Sequence, residues 1–550
     1  MKNSLYIPLF TSIILFGYKK SFLEQRPFVN STQSSTSCLV NGIDTCMQKT
    51  SKLIVNLNEE NQTIEHFGAS DCWSTKFIGT WGNQQKKNQI ADYLFSLDTL
   101  ANGQPKGIGL SIWRFNLGAG SFEQGQQSGI NDEWRREECF LKQDGTYDWT
   151  KQSGQQWFLN AAKARGLNNF LAFSISPPVQ YTINGKAYGL GTPQLNLKSE
   201  YKNEFADFMV KVVDHFKSQG YNMSYLSPFN EPQWDWGKNS KVQEGTGATN
   251  SEISDMVKIL GPKIKSAGLS TQIALGEAAQ WNFLNSSNTD GRGNQLSEFF
   301  NPASANYVGS TPQLASIFSA HSYYTTCPVD ALIKFRKDAF MAKNQIAPNL
   351  RLWQTEFGIL GDICGQINGG PKNTGIDYGL YVAKVIHHDL SIANVTAWHW
   401  WLAISPYNYS DALVYVNDAS NSFNLESTKS DGIVSDSKQL WCLGNYSRFI
   451  RPGMVRVYAS LSSVTQESVA AYSQMVSAYK DKVNKKVVIV IVNMESSEKN
   501  YLLEGVIPAN SSTVLTAYTT NASSNLAMSK LKANKINIPA KSVVTLVGDY

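Results

Sequence analysis

Two glutamates stand where paired-acid chemistry could be done. Glu231 lies in residues 227–236 (SPFNEPQWDW) and Glu356 in residues 352–358 (LWQTEFG). Each follows a short apolar run that ends in polar residues. A pair of carboxyls held about 5–5.5 Å apart can cleave a glycoside with retention: one protonates the leaving oxygen while the other attacks the anomeric carbon. Their companions suit that task. Arg114 can hold Glu356 ionised by its charge, and Tyr323 can orient the same carboxylate. The amide of Asn230 can hydrogen-bond a sugar 2-hydroxyl, a contact that strengthens in the transition state. Glu231 has to start the reaction protonated, which burial and a neighbouring negative Glu356 favour. Glu277 can bind sugar hydroxyls or close a rim salt bridge. A lone His321 reads more readily as a hydrogen-bonded structural residue than as an acid. Asp71 and Asn116 complete the polar set, and Trp234, Trp236, Trp281, Trp400 and Trp401 are candidates to stack on sugar rings.

These residues need a scaffold that brings strand ends together. Between 64 and 450 there are eight apolar runs, at 67–70, 108–115, 169–175, 224–228, 272–275, 315–320, 350–354 and 395–400. Helical patterns separate them, among them 199–219 (closed by Gly220), 252–267 and 377–391. Strands alternating with helices imply a parallel sheet, and eight units imply a (β/α)8 TIM barrel (fold class α/β) whose C-terminal rim carries the polar residues. An open doubly wound sheet is the alternative, but no GxGxxG follows the first strand and no P-loop is present. In that barrel the fourth and seventh runs lie across the mouth, facing Glu231 and Glu356 towards one bond. The last hundred residues read differently: 486–493 (KVVIVIVN), 513–518 and 542–548 form β-rich runs between Asn, Ser and Gly turns. They predict an antiparallel β-sandwich over 451–550, to which 51–63 adds a strand ahead of the barrel at 64–450.

Composition bounds the partners. The chain has 550 residues and is 42% hydrophobic, enough for a sizeable core. Its 49 Lys and Arg against 44 Asp and Glu leave a net charge of +5, with no basic block to attract nucleic acid. Fourteen Trp and 24 Tyr point instead to a neutral, stacking ligand such as a glycan. Residues 1–24 read as a signal-like segment, with Lys2 ahead of a short apolar stretch, and 25–50 as a flexible leader. Export to the periplasm, the cell surface or the medium is expected, without a membrane span and as a monomer. Seven Cys match no zinc spacing and the six His show no HExxH, so neither a metal nor a cofactor is expected. Cys38–Cys46 and Cys327–Cys364 are the plausible disulfides, and the odd count leaves a free thiol.

These segments resemble glycoside hydrolase family 30. The resemblance rests on SPFNEPQWDW and LWQTEFG, with FGASD (67–71), SIWRFN (111–116), SPP (176–178) and the terminal IPAKSVVTL (538–546), and spans about residues 50–550. It implies Glu231 as acid/base, Glu356 as nucleophile, Arg114, Asn230 and Tyr323 as sugar-site residues, and no cofactor or metal. The tryptophan-rich acid segment is most similar to the endo-β-1,6-galactanase branch, which acts on arabinogalactan side chains. A β-1,6-glucanase, a xylanase and a glucosylceramidase-like enzyme are alternatives within the family. Loops 359–375 and 402–415 lack the cationic cluster a uronic acid would need. A glycan-binding protein without catalysis would usually have lost one of the two glutamates.

Overall fold

The computed structural model describes residues 51–550 except 240, 289, 419, 421 and 507–512, together with the backbone of 39–40 and 43–44. The signal-like segment and the Cys38–Cys46 bridge lie outside the described residues.

After strand β1 (Ser51–Thr63) come eight parallel strands: β2 (His66–Ser70), β3 (Ile112–Asn116), β4 (Phe170–Phe173), β5 (Met223–Ser227), β6 (Gln272–Ala278), β7 (Leu314–His321), β8 (Arg351–Glu356) and β9 (Ala397–Ser405). Each pairs with the next. Trp353 opposite Ala397 and Ala397 opposite His66 close the ring. Every expected run became a strand of this barrel. Eight helices follow the strands in turn: α1 (Gln84–Phe95), α2 (Ser153–Ala164), α3 (Lys202–Ser218), α4 (Asn250–Ser266), α5 (Gln295–Phe300), α6 (Val329–Ile346), α7 (Ile376–Ser391) and α8 (Lys438–Ser447). Helix α3 ends as its sequence predicts. Gly220 takes φ +81°, and Tyr221 N–H bonds back to the Phe216 carbonyl. Helix α4 begins two residues earlier than its apolar pattern suggests, because Thr249 and Glu252 form a capping box.

Strand alternation decides what fills the barrel. Ile112, Leu171, Ala274, Ile317, Trp353 and Ala397 meet inside it as one apolar layer. Their neighbours Trp113, Phe170 and Trp398 face the helices as part of the main core. Two residues beyond Ile112 on the same face comes Arg114, fully buried. The floor of the rim is therefore charged because β3 places Arg, not another aliphatic, one step above the apolar layer.

Strand β9 runs on past the ring and carries β10 (Ala412–Asn417) in parallel, which pairs antiparallel with β11 (Ile433–Ser435). The C-terminal strands are β12 (Val455–Leu461), β13 (Gln474–Asp481), β14 (Lys486–Asn493), β15 (Lys499–Glu504), β16 (Val514–Thr520), β17 (Ala527–Lys532), β18 (Ile536–Ile538) and β19 (Ser542–Asp549). With β1 they form a nine-stranded sheet in the order β17-β16-β19-β14-β13-β12-β1-β15-β18. It curls around a single apolar core drawn from both of its halves, as a sandwich does. All of its pairings are antiparallel except β15 with β1, where Tyr501 lies opposite Ser51 in a parallel register.

Strand β14 explains its uninterrupted apolar run. Val487, Ile489 and Ile491 enter the sandwich core, while Val488, Val490 and Val492 pack with the barrel's core. A strand covered on both faces has no solvent side to mark with polar residues. Ile489→Ala is expected to cost about 2–5 kcal/mol of stability, read as a lowered urea midpoint with unchanged slope. A loss well under 1 kcal/mol would show that this position is not the packed centre described here.

Candidate active site

At the C-terminal rim the structure brings seven of the expected residues into one hydrogen-bonded group. Arg114 is its hub. Nη1 donates to Glu356 Oε2 at 2.7 Å, and Nη2 donates to both Asn230 Oδ1 and Glu277 Oε2 at 2.7 Å. Its guanidinium lies 3.8 Å from the centre of the Phe173 ring. Tyr323 Oη donates to Glu356 Oε1 at 3.1 Å. His321 bridges two acids, with Nδ1 2.9 Å from Glu231 Oε1 and Nε2 2.9 Å from Glu277 Oε2. Thr355, on the strand that ends in Glu356, adds a bond to Glu277.

Local backbone aims Glu231, just past β5, and Glu277, near the end of β6. Glu231 and Glu277 both take left-handed conformations, at φ +46° and +50°, and Glu231 N–H bonds the Glu277 carbonyl at 2.9 Å. Such angles cost a non-glycine residue of order 1–3 kcal/mol and persist only where surroundings enforce them. Here the ends of β5 and β6 lock one another.

The electrostatics follow from crowding charges in a dry place. Burial alone would raise the Glu277 carboxyl, but Arg114 and His321 outweigh it and bring the group down to about 2. Burial alone would depress the His321 imidazolium, but Glu356, Glu231 and Glu277 outweigh it and raise the ring to about 10. Glu356 is raised above its ordinary value, burial and Glu231 outweighing the pull of His321 and Arg114. Oxygens of Glu231 and Glu356 and a nitrogen of His321 all lie within 4.8 Å of one another, a spacing that could accept a metal ion. Each of the three side chains already has a protein hydrogen-bond partner.

Residues 50–415 match the family described as O-glycosyl hydrolase family 30. The chain belongs to that family. It is 24% identical over 455 residues, 79% of this chain and 80% of the relative, to the endo-beta-1,6-galactanase of Hypocrea rufa. Among solved structures it resembles a conserved exported protein from Bacteroides fragilis, with a TM-score of 0.85 and 34% identity, covering 90% of this chain and 100% of that one. The catalytic domain of the family 30 xylanase C from Talaromyces cellulolyticus shares the fold, with a TM-score of 0.64 and 23% identity over 90% of this chain and 99% of the other. This family 30 chain is thus an O-glycosyl hydrolase with a TIM barrel and an attached sandwich. No helix among its described residues is long and apolar enough to cross a membrane.

Other expected site residues are placed differently from the sequence reading. Trp281 is fully buried, its ring N–H on Ser322 Oγ at 2.9 Å, and Trp400 is fully buried with its N–H on the Asp411 carbonyl. Both are core, not stacking surface. Their ring N–H groups find partners inside, so nothing drives them to the rim. Glu277 takes the second of its two expected roles, closing a salt bridge with Arg114 at 2.7 Å and bonding His321 at 2.9 Å. Asp71 accepts from Asn116 N–H, and both are fully buried beneath the site, where burial pushes the Asp71 carboxyl well up. They shape the end of β3. Trp234 and Trp236 do stay half-buried at the rim, and Trp236 ties its ring N–H to the Glu231 carbonyl at 3.1 Å. Trp401 lies edge-on to Trp73 with ring centres 5.4 Å apart. The Cys327–Cys364 disulfide is present and joins the loops that follow β7 and β8; Cys72, Cys139 and Cys442 are free and buried. Tyr324, 74% exposed beside Tyr323, belongs with the rim aromatics and has no signal in the sequence beyond its position.

Proposed function

We propose that this protein is an exported, retaining endo-β-1,6-galactanase in which Glu356 is the nucleophile and Glu231 the acid/base. The observation that carries the reading is the unequal treatment of the two carboxyls. Glu356 accepts two donors, Arg114 Nη1 and Tyr323 Oη, which fix both of its oxygens, and Arg114 opposes the upward push of burial and Glu231. Glu231 has one partner, the His321 ring.

A protonated His321 donates to Glu277 and to Glu231 Oε1, so the acid's own proton belongs on Oε2, the oxygen left for substrate. The retaining step requires that proton, and the charges of Arg114 and His321 are then matched by those of Glu277 and Glu356. In the first step a Glu356 oxygen bonds to the anomeric carbon, the glycosidic C–O bond breaks and the Glu231 proton passes to the leaving oxygen. Glu356 becomes a neutral ester as Glu231 becomes an anion, so the buried group keeps its net charge. Water then reverses both transfers, with Glu231 as base. Asn230 fits the 2-hydroxyl role. Arg114 can only donate, so the Asn230 oxygen must face it and the amide NH2 is left for the sugar.

The galactan assignment rests on the Hypocrea rufa relative's activity and on the aromatic rim. Product analysis on β-1,6-galactan, glucuronoxylan, β-1,6-glucan and a glucosyl-lipid analogue tests it. Release of β-1,6-galactooligosaccharides is expected, with the β-anomer appearing first in an NMR time course. Release only from another glycan would move the substrate and leave the acid pair in place. The α-anomer forming first would overturn retention.

A further inference from the structure

Beside the acid lies an aromatic corner that the catalytic group does not use. Trp234 sits in a tight turn that starts at Glu231, its own N–H bonding the Glu231 carbonyl at 3.2 Å. The turn is held from behind. Gln233 accepts from Ala279 N–H, and Asp235 pairs with Arg292 at 2.9 Å. Tyr324 follows Tyr323, the residue on Glu356, and stands 74% exposed with φ +56°. A bulky side chain in that region is a true outlier. In this conformation the ring stands exposed and meets the Trp234 ring at 5.8 Å and 75°. On the other side Phe283 meets Trp234 at 6.5 Å and 88°. Strained backbone and an exposed ring are each unfavourable for folding alone, and here they coincide at the rim of an active site.

We propose that Trp234 and Tyr324 form the subsite for the leaving sugar. The direction follows from the chemistry. The proton of Glu231 must reach the oxygen that departs, so the unit carried by that oxygen lies on the Glu231 side. Glu356, Arg114 and Asn230 hold the unit that is attacked. Two rings at nearly a right angle offer a face to the apolar CH surface of a pyranose and an edge to its rim. The occupant is the reducing-side sugar of the glycan, and after the first step an acceptor sugar or water takes its place. This rests on the paired-carboxylate reading but not on the galactan assignment.

The test compares two leaving groups on one donor. The wild type and Tyr324→Gly are assayed on whichever oligosaccharide of the glycan panel is cleaved, and on the β-glycosyl fluoride of the same non-reducing portion. Glycine adopts the positive φ without strain, so the backbone is preserved and only the ring is lost. Expected is a roughly tenfold or larger fall in kcat/KM on the oligosaccharide, restoration by Tyr324→Phe, and less than about twofold change on the fluoride, which has no leaving sugar. The share of glycosyl transfer to added acceptor should fall with it. An equal loss on both substrates, or none on the oligosaccharide, would overturn the subsite. So would a wild type that hydrolyses fluorides but no oligosaccharide. Cleavage of a glycan other than galactan with the expected split would leave the subsite standing and move only the substrate.

Discussion

Glu356→Gln is expected to lower kcat on the accepted glycan roughly ten-thousand-fold or more, with folding and glycan affinity largely kept. The amide retains the shape of the acid and an oxygen for Arg114, but it cannot attack the anomeric carbon or leave as a stable carboxylate. Arg114 keeps Glu277 as a charged partner at 2.7 Å, so the substitution leaves no unpaired cation in the floor. The two acids can be told apart by azide. In Glu356→Ala the small anion occupies the vacated face and attacks in the nucleophile's place, giving the inverted α-glycosyl azide. In Glu231→Ala the glycosyl-enzyme still forms from a substrate with a good leaving group, and azide captures it with overall retention as the β-azide. Product NMR reads the difference. Near wild-type turnover by Glu356→Gln, or the two azides reversed, would refute the assignment.

Arg114→Met should be the most damaging change to the fold among the rim residues. It removes the cation from a fully buried site and leaves Glu277 and Glu356 without it, and breaking such a pair costs about 3–5 kcal/mol. Activity should fall at least roughly a hundredfold, since the donor that places Glu356 is gone and the Asn230 amide is free to flip. Arg114→Lys should not rescue it: one ammonium cannot span three acceptors that a planar guanidinium fits. Adding Glu277→Gln to Arg114→Met should restore part of the stability, because the stranded charge is removed with its partner. Urea denaturation of the four species closes the cycle. Independent, additive losses would show that the pair does not interact as its 2.7 Å contact implies.

The scaffold was legible because its signal is repetitive. Eight apolar runs separated by helical patterns leave few alternatives, and strand alternation carries Arg114 to the inner face without further information. The partners of Glu277 were not legible. Arg114 and His321 are 163 and 44 residues away in the chain, and nothing local separates an anchor from a sugar ligand. Tryptophan type was a poor guide to position. Trp281 and Trp400 point inward from segments as aromatic as that of Trp234, and only the location of a hydrogen-bond partner for each indole decides between them. Tyr324 stands out through its backbone angle, which a tyrosine side chain does not announce.

Strand β1 pairs with β12 along most of its length, Leu53 opposite Leu461, and with β15 through Leu53 opposite Leu503. Some 400 residues of chain separate it from both neighbours, so during synthesis it is made long before either exists. The sheet can therefore be completed only once the whole barrel has left the ribosome, and the earliest strand to appear is among the last to find its place. Until then its apolar face has to be shielded by something other than its native partners, which makes the delay between first and last strand a quantity that translation speed can tune.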